Sequence, residues 1–115
     1  MRSVLLKGEL SSEDLGEVVE AAGVEIQDSA AYAFGTTRVY LTVGRKHFFR
    51  TNSYLGVALL AATDGATQRI DIAHAGGGSG LMGIEWGSGD DLEGEIATAL
   101  GKLIRDRGLT PLPVG

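Results

Sequence analysis

The chain has 115 residues, of which 43% are hydrophobic, with a formal net charge of −5 and no cysteine. A chain of this length is typical of one domain, here residues 1–115, that buries about two-thirds of the surface exposed when it is unfolded. The lack of cysteine excludes disulfides and thiolate metal sites. The acidic balance argues against a nucleic-acid-binding protein, which needs a basic surface to contact phosphates.

No segment of the sequence is typical of a membrane span or a secretory signal. The apolar runs stay below the roughly 18 residues that a span needs. The N-terminus has three consecutive apolar residues, Val4, Leu5 and Leu6, before Lys7, too few for the apolar centre of a signal peptide. We therefore expect a cytoplasmic protein without membrane association.

The first quarter of the chain predicts a strand followed by a short helix. Residues 3–8 are assigned to the strand. Ser11 is expected to cap the helix, because its hydroxyl can accept a hydrogen bond from the backbone N–H of Asp14. The helix is expected to end at Gly23. Its apolar residues recur at the spacing of one helical face: Leu15, Val18, Val19 and Ala22.

Three strands are predicted in the middle of the chain, over residues 24–34, 36–43 and 54–63. The last of them is apolar on both faces, a pattern typical of a strand that is covered on both sides. Residues 44–53 are compatible with a long loop and also with a strand that continues past a bulge at Gly44. The sequence does not decide between these two alternatives.

A hairpin around a glycine-rich loop is the most distinctive stretch of the sequence. Asp64 and Gly65 favour a tight turn into an alternating run from residue 67. The loop of residues 76–80 joins that run to a second one, which ends at Trp86. Side chains two residues apart share one face of a strand, so two sets are expected to face the core. These sets are Ile70, Ile72 and His74 in the first run, and Met82, Ile84 and Trp86 in the second.

A second helix is predicted to begin within residues 87–91 and to end at Gly108, where Pro111 prevents its extension. Its apolar stripe consists of Leu92, Ile96, Leu100 and Leu103, widened by Ala99 and Ile104. The predicted fold class is α+β, in two layers: a mostly antiparallel sheet of five or six strands with two helices on one face. The predicted order, β-α-β-β-β-β-β-α, resembles a reduced helix-grip arrangement.

The C-terminal half of the sequence resembles a known family. The segments that carry the likeness are residues 69–72 (Arg-Ile-Asp-Ile), the glycine-rich loop and residues 84–87 (Ile-Glu-Trp-Gly), followed by the amphipathic helix. Together they look like a family of small bacterial proteins that is defined only as a domain of unknown function. The resemblance implies a small cytoplasmic one-domain protein, and it implies no catalytic or ligand-binding residue.

His74 and the glycine-rich loop form the first candidate ligand site. His74 lies on the predicted core face beside the loop, where Ser79 or Glu85 would be its local partner. The alternative is a core histidine with a satisfied hydrogen bond. Gly77 and Ser79 would contact a ligand, although the loop lacks a phosphate-binding pattern and a following helix, so its glycines also suit a purely conformational role. Trp86 would line the same pocket or act as a core anchor.

A basic stretch, residues 45–50, is the second candidate ligand site. The stretch combines the cations Arg45, Lys46 and Arg50 with aromatic residues, and this combination can bind an anionic ligand or single-stranded nucleic acid. A solvated loop, or a surface that docks on an acidic partner, explains the same residues. The net charge leads us to expect no nucleic-acid binding. The sequence assigns no catalytic residue, no metal site and no cofactor.

Two functions stay open at this point. The favoured one is a non-enzymatic module that self-associates or binds a protein partner. The alternative is a small-ligand-binding protein, possibly an enzyme, that uses a pocket near His74 and the glycine-rich loop. The two-sided strand favours the first, since two helices do not easily cover both faces of a sheet. A homodimer through the uncovered face is therefore predicted. Its predicted interface residues are Tyr40, Leu60 and Ala62, with Arg38 and Arg69 at the polar rim.

Overall fold

The computed structural model describes residues 1–50, 52–76 and 88–114. Within these ranges the chain forms six strands and two helices. In chain order these are β1 (Arg2–Lys7), α1 (Ser12–Ala21), β2 (Glu25–Phe34), β3 (Thr37–Phe48), β4 (Ser53–Asp64), β5 (Thr67–Gly76), α2 (Ser88–Asp106) and β6 (Thr110–Leu112). The strands form one sheet in the order β2-β3-β4-β5-β1-β6, and every neighbouring pair is antiparallel. The predicted α+β class is confirmed.

The two faces of the sheet differ in what lies on them. In antiparallel strands, directly opposed residues share a face. Leu59 of β4 is opposed to Thr42 of β3 and to Ile72 of β5, and all three are buried. We call this face the covered face; its β4 residues are Leu55, Val57, Leu59 and Ala61. The opposite face is the open face, and its β4 residues are Gly56, Ala58, Leu60 and Ala62.

Both helices pack on the covered face. Their buried side chains form one apolar cluster with those of β1, β4 and β5. The helical members are Leu15, Val18 and Val19 from α1, and Leu92, Ile96, Leu100 and Ile104 from α2. The predicted stripes are confirmed with one exchange, because Ile104 is fully buried whereas Leu103 is only partly buried. The amphipathic pattern of each helix therefore decided which side of that helix packs against the sheet.

The predicted cap fastens α1 at its start. The Asp14 N–H donates to Ser11 Oγ at 3.1 Å, and the Ser11 N–H donates to Asp14 Oδ2 at 3.2 Å, which completes a capping box. Arg107 donates to both oxygens of the same carboxylate, at 3.0 and 2.6 Å, and so ties α1 to the end of α2. Burial on its own would raise the pKa of Asp14, but the hydrogen bonds from Arg107 and Ser11 outweigh it and hold the pKa below its ordinary value.

The third strand is longer than predicted. β3 continues through Gly44 to Phe48 and pairs with β4 without interruption, so residues 44–48 are strand. The pairing with β2 is irregular at the level of Gly44: the register shifts between Ile26, opposed to Gly44, and Asp28, opposed to Val43, so the extra residue lies in β2. Gly44 has another role: a Cβ there would lie 2.6 Å from the Glu25 carbonyl oxygen and from Val24 Cγ1. The close approach of these two backbones therefore requires glycine at this position.

The end of the chain departs from the predicted element order. A short strand, β6, follows α2 and pairs with β1, so the described order ends in a strand rather than a helix. The pattern missed β6 because it has only three residues and contains Pro111, which is atypical of a strand interior. The first arm of the predicted hairpin is β5, with Ile70 and Ile72 fully buried. Its second arm, residues 82–86, lies outside the described residues.

Candidate functional site

The open face is apolar across its centre. Directly opposed residues form rows that run across the strands. One row contains Val43, Ala58 and Ala73, and the next row contains Ala30, Leu41 and Leu60. The apolar residues of this face on β2 to β5 are Ala30, Tyr32, Phe34, Val39, Leu41, Val43, Tyr54, Ala58, Leu60, Ala62, Ala73 and Ala75. These side chains offer apolar contact area, and the imidazole ring of His47, which is opposed to Tyr54, lies on the same face.

Several large side chains on the open face are well exposed. Phe34 is 71% exposed, Tyr32 47% and Leu60 37%. The rings of Tyr32 and Phe34 contact each other edge to face, with centroids 5.5 Å apart. Tyr54 of β4 adds a further ring that is 40% exposed. Isolated exposed apolar residues are ordinary, but a contiguous apolar surface of this kind is typical of an interaction site.

Charged groups lie at two margins of the open face. On β5, Arg69 Nε donates to Asp71 Oδ1 at 3.1 Å, and Ser3 Oγ of β1 donates to the same oxygen at 2.6 Å. On the other side, Arg45 of β3 lies 4.4 Å from the centroid of the Tyr54 ring and pairs with Glu25 of β2 at 3.5 Å. Each margin thus carries one cation and one anion, which makes the apolar centre a patch with a polar rim.

The predicted interface residues do not all lie on one face. Leu60 and Ala62 are on the open face, as expected. Tyr40 is opposed to the buried Ala61 and packs against the core beneath the helices, so its predicted place on the uncovered face is wrong. Arg38 has the same parity as Tyr40; it is opposed to Thr63 and pairs with Glu9, and its predicted place beside Arg69 is also wrong. Strand alternation explains both corrections, because neither residue has the parity of Leu41.

The three cations predicted as an anion site are separated by the sheet. Arg45 is on the open face, whereas Lys46 points to the covered face and donates from Nζ to the Ala22 carbonyl at the end of α1, at 2.8 Å. Arg50 is exposed in the turn after β3. Consecutive strand residues point to opposite faces, so Arg45 and Lys46 cannot contact one ligand together. Lys46 instead stabilises a helix C-terminus.

His74 lies on the covered face near the end of β5, opposed to Val57. Its Nδ1 contacts the carboxylate of Glu93, which follows the first turn of α2. The Glu93 side chain is 2% exposed and that of His74 is 19% exposed. The other predicted residues of this site, Gly77, Ser79 and Trp86, lie outside the described residues, as does Glu85.

Sequence reasoning missed Glu93 and Asp90 as neighbours of His74. They lie 19 and 16 residues further along the chain, on a different element. The available signal was their i, i+3 spacing, which places two carboxylates on one side of a helix. Only the packing of α2 against β5 shows that this side faces His74.

Within the described ranges, no helix is long and apolar enough to cross a membrane. Comparisons with models of known families, with curated proteins and with solved structures return no match. The resemblance to a small bacterial family of unknown function therefore stays a prediction.

Proposed function

We propose that the protein is a non-enzymatic module that self-associates, and that the open face of one copy packs against the open face of a second. The observation that carries the proposal is the exposure of Phe34, Tyr32 and Leu60 on one apolar sheet face. Water contact with such a surface is unfavourable by about 25 cal/mol per Å². Packing two open faces together removes this contact for both chains.

The size of the face suits a stable homodimer. Strands β2 to β5 have ten to twelve residues each. Four strands spaced about 4.8 Å apart, with a rise of about 3.3 Å per residue, present roughly 630 Å². Two such faces bury about 1,300 Å², within the range of about 1,200–2,000 Å² that is typical of specific interfaces. A second copy of the chain would therefore bury enough surface to form a specific interface.

The rim charges also favour a second copy as the occupant. A two-fold contact brings the same patch of both chains together, so each charged group must find an opposite charge within that patch. The margin at β5 holds Arg69 beside Asp71, and the margin at β2 and β3 holds Arg45 beside Glu25. Because each margin carries both signs, either margin of the second chain can complement it. Face-to-face sheet packing of this type has precedent in β-sandwiches.

Sedimentation velocity at micromolar concentration tests the proposal. We expect the wild-type chain to sediment as a dimer. Leu60→Asp places a charge on the open face and is expected to give a folded monomer, with circular dichroism as the check of folding. Val114→Asp is the matched control, because Val114 is an exposed apolar residue beyond the last strand, and this variant should stay dimeric.

A second variant guards against misfolding of Leu60→Asp. Phe34 is 71% exposed, so Phe34→Ser leaves the core intact and should still weaken the dimer. A monomeric wild-type protein at micromolar concentration would overturn the proposal. A folded dimer that survives both substitutions would also overturn it, because the interface would then lie elsewhere.

A further inference from the structure

A mixed group of histidine and carboxylate side chains lies where β5 meets the start of α2. His74, Asp90 and Glu93 each offer one ligand atom, and these three atoms lie within 4.8 Å of one another. Two elements supply the group, a strand and a helix, so its geometry is fixed by tertiary packing rather than by one flexible loop.

The burial of Glu93 distinguishes this group from ordinary acids at a helix start. Acidic residues in the first turn of a helix stabilise it through its dipole while fully solvated, and Asp91 is such a residue. Glu93 instead has a side chain that is 2% exposed. A carboxylate that leaves water needs compensation by positive charge or hydrogen bonds. Here His74 supplies it, through the contact of its Nδ1 with the Glu93 carboxylate.

The helix backbone is shaped to receive the imidazole ring. Gly89 lies so close to His74 that a Cβ at this position would overlap the ring. The ring is thereby held between the start of α2 and the carboxylate of Glu93. Asp90 is exposed, and its carboxylate lies within 4.8 Å of the ligand atoms of the other two groups. Two ligands are thus positioned in advance, which lowers the entropic cost of binding.

We propose that His74, Asp90 and Glu93 bind a divalent first-row transition metal, with Zn²⁺ as the representative ion. One imidazole nitrogen and two carboxylate oxygens are a donor set that zinc accepts, at metal–ligand distances of about 2.0–2.2 Å. Two carboxylates and a neutral imidazole carry a charge of −2, which balances the ion. Three protein ligands leave a fourth tetrahedral position for water. Metal binding at this site fastens α2 to β5 independently of self-association through the open face.

Isothermal titration of the full chain with Zn²⁺ tests the site. We expect one ion per chain, and an increase in the melting temperature on saturation. His74→Gln, Asp90→Asn and Glu93→Gln should each weaken binding by more than about tenfold, since even the outer partners of metal ligands contribute about 10–100-fold to affinity. Circular dichroism confirms that each variant is folded. Asp91→Asn is the matched control: Asp91 is exposed on the same helical turn but outside the group, so binding should be unchanged.

Three results would overturn the proposal. The first is a wild-type chain that binds no Zn²⁺. The second is a folded Glu93→Gln or His74→Gln variant that binds as tightly as the wild type. The third is a loss in Asp91→Asn equal to that in Asp90→Asn, which would indicate nonspecific attraction to surface acids. Gly89→Ala serves as an independent check, because it displaces the His74 ring while leaving all three ligands in the sequence, and it should also weaken binding.

Discussion

The covered and open faces of the sheet place neighbouring residues of the same type in opposite environments. Leu59 and Leu60 are adjacent in β4; Leu59 is fully buried beneath the helices, whereas Leu60 is 37% exposed. Their intrinsic preferences for a strand are identical. The difference lies entirely in which face of the sheet the helices cover. A leucine on the covered face therefore stabilises the fold, whereas a leucine on the open face is available for association.

The dimensions of the helices explain why only one face is covered within the described residues. α1 has 10 residues and α2 has 19, which correspond to lengths of about 15 Å and about 29 Å at about 1.5 Å per residue. These helices cover the centre of one face. Most of β2, at the edge of the sheet, lies outside this layer: nine of its ten residues are exposed, and Ile26 packs against the core. A strand edge of this kind is normally protected by pairing or by association.

The largest expected difference between the faces comes from truncating the two leucines. Leu59→Ala removes buried contacts and should lower the free energy of unfolding by about 2–5 kcal/mol at any protein concentration. Leu60→Ala should have an effect that depends on protein concentration, because its contacts form in the dimer. Urea unfolding at two protein concentrations measures the free energy of unfolding of both variants. Equal and concentration-independent losses would contradict the distinction between the faces.

Substituting one strand glycine on each face should give a smaller difference in stability between the faces. Gly44 is on the covered side, crowded by Val24 and Glu25, and Gly44→Ala should lower stability by about 1–3 kcal/mol through overpacking. Gly56 is on the open face, where a Cβ would lie 3.5 Å from the nearest atom, the Ala75 carbonyl oxygen. Gly56→Ala is therefore expected to leave the stability of the monomer unchanged or slightly raised. Thermal unfolding of both variants decides the comparison, and a larger loss in Gly56→Ala would reverse it.

Removing one charged pair on each side of the sheet should give the smallest difference in stability. The pKa of Asp14 is lowered on folding, so its contribution to stability is complete above the pKa of the unfolded chain and is lost as the pH falls through the lower folded value. Arg107→Gln should cost about 1 kcal/mol at pH 7. Its difference from the wild type should shrink as the pH falls below the pKa of Asp14 in the unfolded chain and through its lower folded value, where the carboxylate becomes protonated.

The Arg69–Asp71 pair of the open face is the control for this measurement. Arg69 is 52% exposed, and a solvated pair contributes little, so Arg69→Gln should change the stability of the monomer by no more than a few tenths of a kcal/mol. Denaturant unfolding between pH 3 and pH 7 gives both values under conditions that keep the chains monomeric. A constant penalty for Arg107→Gln across this range would show that its bond to Asp14 does not contribute.

Local patterns predicted most elements, because their signals lie within a few residues. Ser11 and Asp14 form the predicted capping box, and the two apolar stripes face the core. Gly23 and Gly108 end the helices with φ values of +90° and +71°. β6 was missed because its stability comes from pairing with β1 and not from its own three residues.

The candidate sites were less accessible to local patterns. Leu60 was placed on the open face because the alternation of β4 was correct, but Tyr40 was not, since its face depends on the register between β3 and β4. Arg45, Lys46 and Arg50 do not form one site, because adjacent strand residues such as Arg45 and Lys46 point to opposite faces of the sheet. Glu93 was missed for the converse reason, since its partner His74 lies on another element.

The sequence by itself determined the elements of this protein, their caps and the alternation of each strand, because these depend on backbone preferences and on residues within one or two turns. Only the tertiary structure decided which face of the sheet the helices cover and which carboxylates meet His74. The physical reason is that both outcomes depend on contacts between elements distant in the chain. Such contacts are selected by the burial of the whole apolar surface and not by any local signal.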